Sequence, residues 1–171
     1  LRFVDDRSHY PIIETTWEGQ KAYRCQAPIW GVGLTNIGIT GQGVVDGSGH
    51  IWKSVKKSKM TESQWKQLLS TGGVVDNNTW YPSESSRIGH NSEWAKKLTP
   101  GKTMADFESV KDFLRPNMVS LFECNNVLVE GVTFQNSPAW TLHPLMCNHT
   151  IFRNVNVKNP WYGQNNDAID L

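Results

Sequence analysis

At 171 residues, 38% of them hydrophobic, the chain is long enough for one domain with a sizeable core. A net charge of +1 gives no global field toward nucleic acid or a membrane surface, and no apolar run approaches the ~18 residues that span a bilayer. Three cysteines, Cys25, Cys124 and Cys147, are too few and too scattered for a disulfide framework or a zinc site.

The chain opens with Tyr10-Pro11-Ile12-Ile13-Glu14-Thr15-Thr16-Trp17, a β-prone run closed by a Glu18-Gly19 turn. Ala27 to Gly33 is apolar and broken by glycine. In Asn36-Ile37-Gly38-Ile39-Thr40-Gly41-Gln42-Gly43-Val44-Val45-Asp46-Gly47-Ser48-Gly49 the glycines superficially suggest a phosphate loop. No Lys-Ser/Thr follows them and no helix does, so the better description is two short strands, 37–40 and 43–45, with tight turns between and after.

Residues 53–114 break this pattern and read as one long insertion lying over the β part. Thr61-Glu62-Ser63-Gln64 has the capping-box form, and Gly72-Gly73 would end the helix it starts. Short helices are also predicted over 92–97 and 104–114, the last stopped by Arg115-Pro116. Lys53, Lys56, Lys57 and Lys59 form a basic cluster, read as a solvated loop face in preference to a ligand site.

From Asn117 the chain repeats itself. Glu123 to Asn136 lies over Met146 to Asn159 at an offset of 23 residues, with Cys124 on Cys147, Leu128 on Ile151, Val132 on Val155 and Phe134 on Val157. Asn36 to Gly41 matches Asn126 to Gly131 at 90 residues, about four such periods if the insertion replaces some turns. A period in the twenties with short β segments and Asn-rich turns is a solenoid signature, and the leucine spacing of leucine-rich repeats is missing. The reading is an all-β chain: part of a right-handed parallel β-helix, with inward apolar and outward polar residues and a long, partly helical insertion. Cys124 and Cys147 then stack as small inward residues. The chain has no starting Met and stops at Leu171 inside an apolar/polar alternation, as expected of the N-terminal part of a longer β-helix domain.

Stacking turns the period into a map of neighbours. Val119, Leu142 and Ile169 form an inward column; Ser120, His143 and Asp170 form one outward column, and Asn117, Trp140 and Asp167 another. Eight Trp, four Tyr and six Phe suit either sugar contact or core packing. The stretch Asn159 to Leu171 is the densest in chemistry, with amides, two aromatics and the carboxylates Asp167 and Asp170. A glycosidase needs carboxylates flanking a scissile bond on an open groove, and inverting enzymes hold them ~6.5–9.5 Å apart to admit water. Asp167 is the candidate for one of that pair. Against it stand an asparagine turn ladder at 165–166, a solvated strand residue at Asp170 and a hydrogen-bonded structural histidine at His143.

These motifs together resemble the polygalacturonase-like glycoside hydrolases, family 28. The resemblance rests on Asn36-Ile37-x-Ile39-Thr40-Gly41-x-Gly43-x-x-Asp46-Gly47-x-Gly49, on Arg115-Pro116, on Ser137-Pro138-x-Trp140-Thr141-Leu142-His143-Pro144 and on Asn165-Asn166-Asp167-Ala168-Ile169-Asp170, in family order. It implies a right-handed parallel β-helix that hydrolyses α-linked galacturonides of pectin with inversion, without metal or other cofactor, as a secreted or periplasmic monomer. By the same resemblance Asp167 helps activate the attacking water, Asn165 orients that water or the sugar, and Asp170 supports the strand. His143 and Trp140 would border the cleft, and Arg115 would hold the insertion against the coils. Asn166 stands where the family has Thr, and Ala168 where Gly is usual. The family's general acid, site histidine and Arg-Lys clamp lie further downstream, so the 171 residues alone should be inactive. Two rivals are a β-helix polysaccharide lyase, which would need an acidic calcium cluster and a basic catalyst, and a non-catalytic carbohydrate-binding β-helix.

Overall fold

Glu18 and Gly19 both take positive φ, 49° and 74°, the backbone of a two-residue hairpin turn whose twist matches the strands on either side. They join β1 (Ile12–Trp17) to β2 (Gln20–Cys25) in an antiparallel pair running from Trp17↔Gln20 to Ile12↔Cys25. The computed structural model describes all of residues 1–171.

After this hairpin the strands come in sets of three. The first set is β3 (Ile29–Val32), β4 (Thr35–Thr40) and β5 (Val44–Asp46). The inserted segment follows, with β6 (Val55–Lys56), α1 (Glu62–Ser70), β7 (Val74–Asp76), β8 (Thr79–Tyr81), α2 (Glu84–His90) and α3 (Met104–Ser109). The second set is β9 (Val119–Phe122), β10 (Asn125–Glu130) and β11 (Thr133–Gln135); the third is β12 (Leu142–Leu145), β13 (Asn148–Arg153) and β14 (Asn156–Lys158). Corresponding strands pair in three parallel sheets, β3-β9-β12, β4-β10-β13 and β5-β11-β14. The fold is thus mostly strands in parallel sheets, with few and short helices.

The register expected from the repeat is the one found. Leu128 pairs with Ile151, Phe134 with Val157 and Leu142 with Val119, and an isolated bridge continues that column to Ile169. Val127 also pairs directly with Ile37, so the 90-residue match is one step between neighbouring sets, not about four. The insertion sits wholly inside that step, which is why the count of periods was too high.

The Asn and Gly content follows from the corners. Gly33, Glu123 and Met146 occupy one left-handed position in the three sets, and Asn36, Asn126 and His149 occupy another. Residues with short polar side chains, or none, adopt positive φ most cheaply, and Asn126 also donates to Asn36 Oδ1 at 2.9 Å. The interior between the sheets holds Val45, Val119, Leu121, Cys124, Val127, Val129, Val132, Phe134 and Leu142, with Ile37, Ile39, Phe152 and Val157 packed on them. Cys124 is buried and Cys147 half-buried in the same stack, both as free thiols. The alternation that turns these residues inward turns Leu128 and Ile151 outward.

The insertion carries aromatic cores of its own. Trp52, Phe107 and Leu114 pack with Tyr10 and Cys25 against the hairpin, and Val55, Trp65 and Trp80 form a smaller cluster. The capping box at Thr61 and Gln64 is present, with Thr61 N–H to Gln64 Oε1 at 2.9 Å, and α1 runs to Ser70 before Gly72 and Gly73 turn left-handed. Predicted helix 92–97 is a 3-10 turn over Glu93–Lys96, and 104–114 splits into α3 and a 3-10 turn over Lys111–Phe113. The antiparallel sheet β6-β8-β7 and helix α2 went unpredicted, because strands of two or three residues leave no periodicity to read.

Candidate active-site loop

Asp167 belongs to a loop whose backbone continues the first sheet. Thr141 N–H donates to the Asp167 carbonyl at 2.9 Å, Leu142 N–H to that of Ala168 at 3.1 Å, and Asp170 N–H back to that of Leu142 at 2.9 Å. This places 167–170 beside 141–142, as the repeat map expected.

The side chains before Asp167 are fixed from several directions. Lys53, fully enclosed, donates to Asn166 Oδ1. Asn166 Nδ2 donates to the Pro160 carbonyl at 2.8 Å. Asn159 spends its whole amide here: its Oδ1 accepts from Ser137 N–H at 2.8 Å, and its Nδ2 donates to Thr141 Oγ1 at 2.8 Å and to the Asn166 carbonyl at 2.9 Å. Arg115 reaches in with three bonds, to the carbonyls of Pro138 at 3.3 Å and Gln164 at 3.1 Å and to Asn165 Oδ1 at 3.3 Å. Asn165 itself holds φ 54°, a left-handed turn that Asn tolerates. The Asp167 side chain emerges from this frame exposed, and accepts no hydrogen bond from the protein. Such a carboxylate is free to meet a water or a sugar hydroxyl.

Lys53 opens the insertion and Arg115 directly follows it, so the two side chains that brace the loop come from either edge of that segment. Lys53 corrects the reading of the basic cluster as one solvated face: Lys56 and Lys59 are exposed, but Lys53 is enclosed. Burial pushes its ammonium down to about 7, with the Arg115 charge adding to the shift. No sequence signal separates Lys53 from its neighbours, since its partner lies 113 residues away. Asn159, too, gave no sign of its role beyond lying in an amide-rich stretch.

Below the loop, both outward columns are covered at Asn117, Ser120, Trp140 and His143. Ser120 and His143 do share one, with Ser120 Oγ 3.5 Å from His143 Nδ1, but the hairpin lies over it and both are buried. His143 packs edge-on to Phe122 and against Trp140, 5.2 Å between centroids. Burial holds its imidazole below the ordinary value, and the Asp170 carboxylate pulls the other way. Trp140 is 7% exposed, its face taken by Trp17. The geometry therefore gives His143 and Trp140 supporting positions beneath the loop, with half-buried Asp170 beside them. The Trp count points the same way: Trp17, Trp52, Trp65, Trp80 and Trp140 are all buried, whereas Trp30 and Trp161 are open. No group of three or more His, Cys, Asp and Glu side chains comes together to hold a metal. No helix is long and apolar enough to cross a membrane.

No protein-family model and no curated protein matches the chain. Among solved structures, a hyperthermoactive exopolygalacturonase from Thermotoga maritima is similar over 100% of this chain, at 26% identity and a TM-score of 0.61. The chain spans 35% of that enzyme's length. The likeness supports a polygalacturonase-like, hydrolase-like fold, in agreement with the parallel sheets.

Proposed function

We propose that this chain is the N-terminal portion of a pectin-degrading glycoside hydrolase, built as a right-handed parallel β-helix whose successive turns are the three strand sets. The observation that carries the reading is the contrast at 165–167. Asn166 and the backbone are bonded from every side, while the neighbouring Asp167 carboxylate is left exposed and unpartnered. Rigid support under one free carboxylate is what a water-activating group requires, because a base must be held within hydrogen-bond reach of the proton it takes. In this reading Asp167 polarises the attacking water, Asn165 helps orient it or the sugar, and a general acid from a following turn protonates the leaving oxygen. Two carboxylates spaced for an intervening water give inversion at the anomeric carbon. The substrate is a pectic polysaccharide or oligogalacturonide, and the enzyme works outside the cytoplasm as a monomer, without metal.

The similarity to an exopolygalacturonase supports this assignment over the lyase and the binding module. The test is product analysis on oligogalacturonides, with a protein that continues past Leu171. New reducing ends of inverted configuration are expected. Unsaturated products would make the protein a lyase, and binding without cleavage would make it a carbohydrate-binding module.

A further inference from the structure

Arg24 and Arg115 line one cavity of about 270 Å³ between the hairpin, the insertion and the 164–165 loop, and neither forms an ion pair. Arg24 is 6% exposed, stacked 3.9 Å over Trp17, and its one hydrogen bond is a long one, 3.4 Å to the Phe113 carbonyl. Three enclosed donors on the same walls have no partner in the protein: Arg24 Nε, Trp52 Nε1 and Gln164 Nε2. Lys96 and His90 add positive or donating groups, and Glu18 is the single carboxylate on the wall, itself exposed. Burial pushes Arg24 down to about 9, with the Arg115 charge adding to the shift.

Enclosing the Arg24 guanidinium without an anion is costly, and buried cations are as a rule paired; Arg115 beside it is half-buried and bonds two carbonyls and Asn165 Oδ1. The three unpartnered donor atoms are themselves closed to solvent; what borders the open volume is the pair of arginines, with no carboxylate between them. A planar guanidinium fork matches the two oxygens of a carboxylate, and such charge-assisted bonds are about twice as strong as neutral ones. The volume is below the roughly 300–1,000 Å³ of drug-sized pockets, so it admits one sugar residue or a smaller anion, not a length of chain.

We infer that this cavity is a binding site for the carboxylate of an acidic monosaccharide unit, held by Arg24 and Arg115 beside the Asp167 loop. The inference rests on the reading of an acidic polysaccharide as substrate and adds residues outside the carboxylate loop, drawn from the hairpin and the insertion. Free small anions share the chemistry, so the probes must include them.

The test is calorimetric titration of the 171-residue chain with galacturonate, galactose, acetate and inorganic phosphate, with thermal unfolding of the same samples. Galacturonate is expected to bind and raise the unfolding midpoint, galactose to do neither, and acetate to bind more weakly than galacturonate. Ser86, on the cavity wall in the first turn of α2, offers a clean variant. An aspartate suits a helix's first turn, and Ser86→Asp supplies the missing anion from within. It should raise the midpoint without ligand and weaken galacturonate by about tenfold or more, the worth of one charge-assisted bond. Lys96→Gln, an exposed change at the rim that gives up a surface pair with Glu93, should weaken galacturonate while shifting the unliganded midpoint little. Equal binding of galactose and galacturonate overturns the inference, as does binding of phosphate or acetate without galacturonate, or a Ser86→Asp chain that binds galacturonate unchanged. Hydrolysis of oligogalacturonides by the longer protein, with no galacturonate bound in the cavity, removes this inference alone. Galacturonate bound without any hydrolysis removes the proposed reaction and leaves the site standing.

Discussion

Trp17 lies flat on Trp140, with ring centroids 4.3 Å apart and planes 6° apart, joining the tip of the hairpin to the segment just before β12. The stack continues on both sides, through Arg24 over the far face of Trp17 and His143 against Trp140. This relationship turns a candidate sugar platform into a buried support.

Trp17→Ala should therefore act on stability first. Truncating a buried aromatic costs about 3–5 kcal/mol, from lost transfer energy and the cavity left behind. Urea unfolding should show a loss of that size, and Trp140 emission should shift to the red as its face meets water. Trp17→Phe should recover most of the stability. A loss under ~1 kcal/mol for the alanine variant would mean that the hairpin is not anchored here.

The contact of Lys53 with Asn166 predicts a pH dependence whose sign can be worked out. Burial, with Arg115, holds the folded-state value at about 7, against an ordinary value of 10.5. Between those values the unfolded chain binds more protons than the folded one, so stability rises with pH across that window. The penalty is full below about 7 and is relieved progressively above it. Arg24 joins only above about 9, and the lowered carboxylates Asp46 and Asp106 lose their contribution in acid, outside the window. Denaturation midpoints should rise between about pH 6.5 and 8.5 in the wild type and rise distinctly less in Lys53→Met, which keeps only the end of the gain from the lowered imidazoles of His90 and His143. An identical rise in both would rule Lys53 out as its source.

Gly131 and Gly41 lie at equivalent corners of neighbouring sets, both at positive φ, 77° and 117°. A Cβ on Gly131 would run into the carbonyl oxygen of Gly41, whereas one on Gly41 meets nothing within 4 Å. Gly41→Ala should cost about 1–2 kcal/mol, for the left-handed backbone alone. Gly131→Ala must in addition push two neighbouring corners apart, so its midpoint in urea should fall well below that of Gly41→Ala. Equal losses would show that the corners approach less closely than this.

How much of this was legible in the sequence depended on how local the cause was. The 23-residue register was readable because each set writes the same inward alternation and the same corner residues, so Cys124 and Cys147 or Phe134 and Val157 announce one another. The capping box at Thr61 was readable because its two partners are three residues apart. Lys53 beside Asn166 and Trp17 on Trp140 were not, since each pair joins residues more than a hundred positions apart that meet only in the folded chain. The outward column at Ser120 and His143 was placed correctly in register, but what covers it comes from residues 12–25, whose own pattern says only that they are strands.

Asp167 and Asn159 separate chemistry from support within one loop. Asp167 is exposed and accepts no hydrogen bond, so Asp167→Asn should leave the unfolding midpoint unchanged. Its loss of charge should cut kcat on oligogalacturonides by roughly 10²–10⁴, the usual contribution of a positioned general base, in a protein that carries the following turns. Asn159 bonds Ser137, Thr141 and Asn166 at 2.8, 2.8 and 2.9 Å, and removing its amide leaves buried groups unpaired. Asn159→Ala should cost about 1–3 kcal/mol of stability and lower activity through a loosened loop, with KM rising as well. Thermal unfolding and steady-state kinetics on the two variants read both effects. If Asp167→Asn keeps full turnover, the attacking water is activated elsewhere, and the free carboxylate at 167 is a surface residue on a well-braced turn.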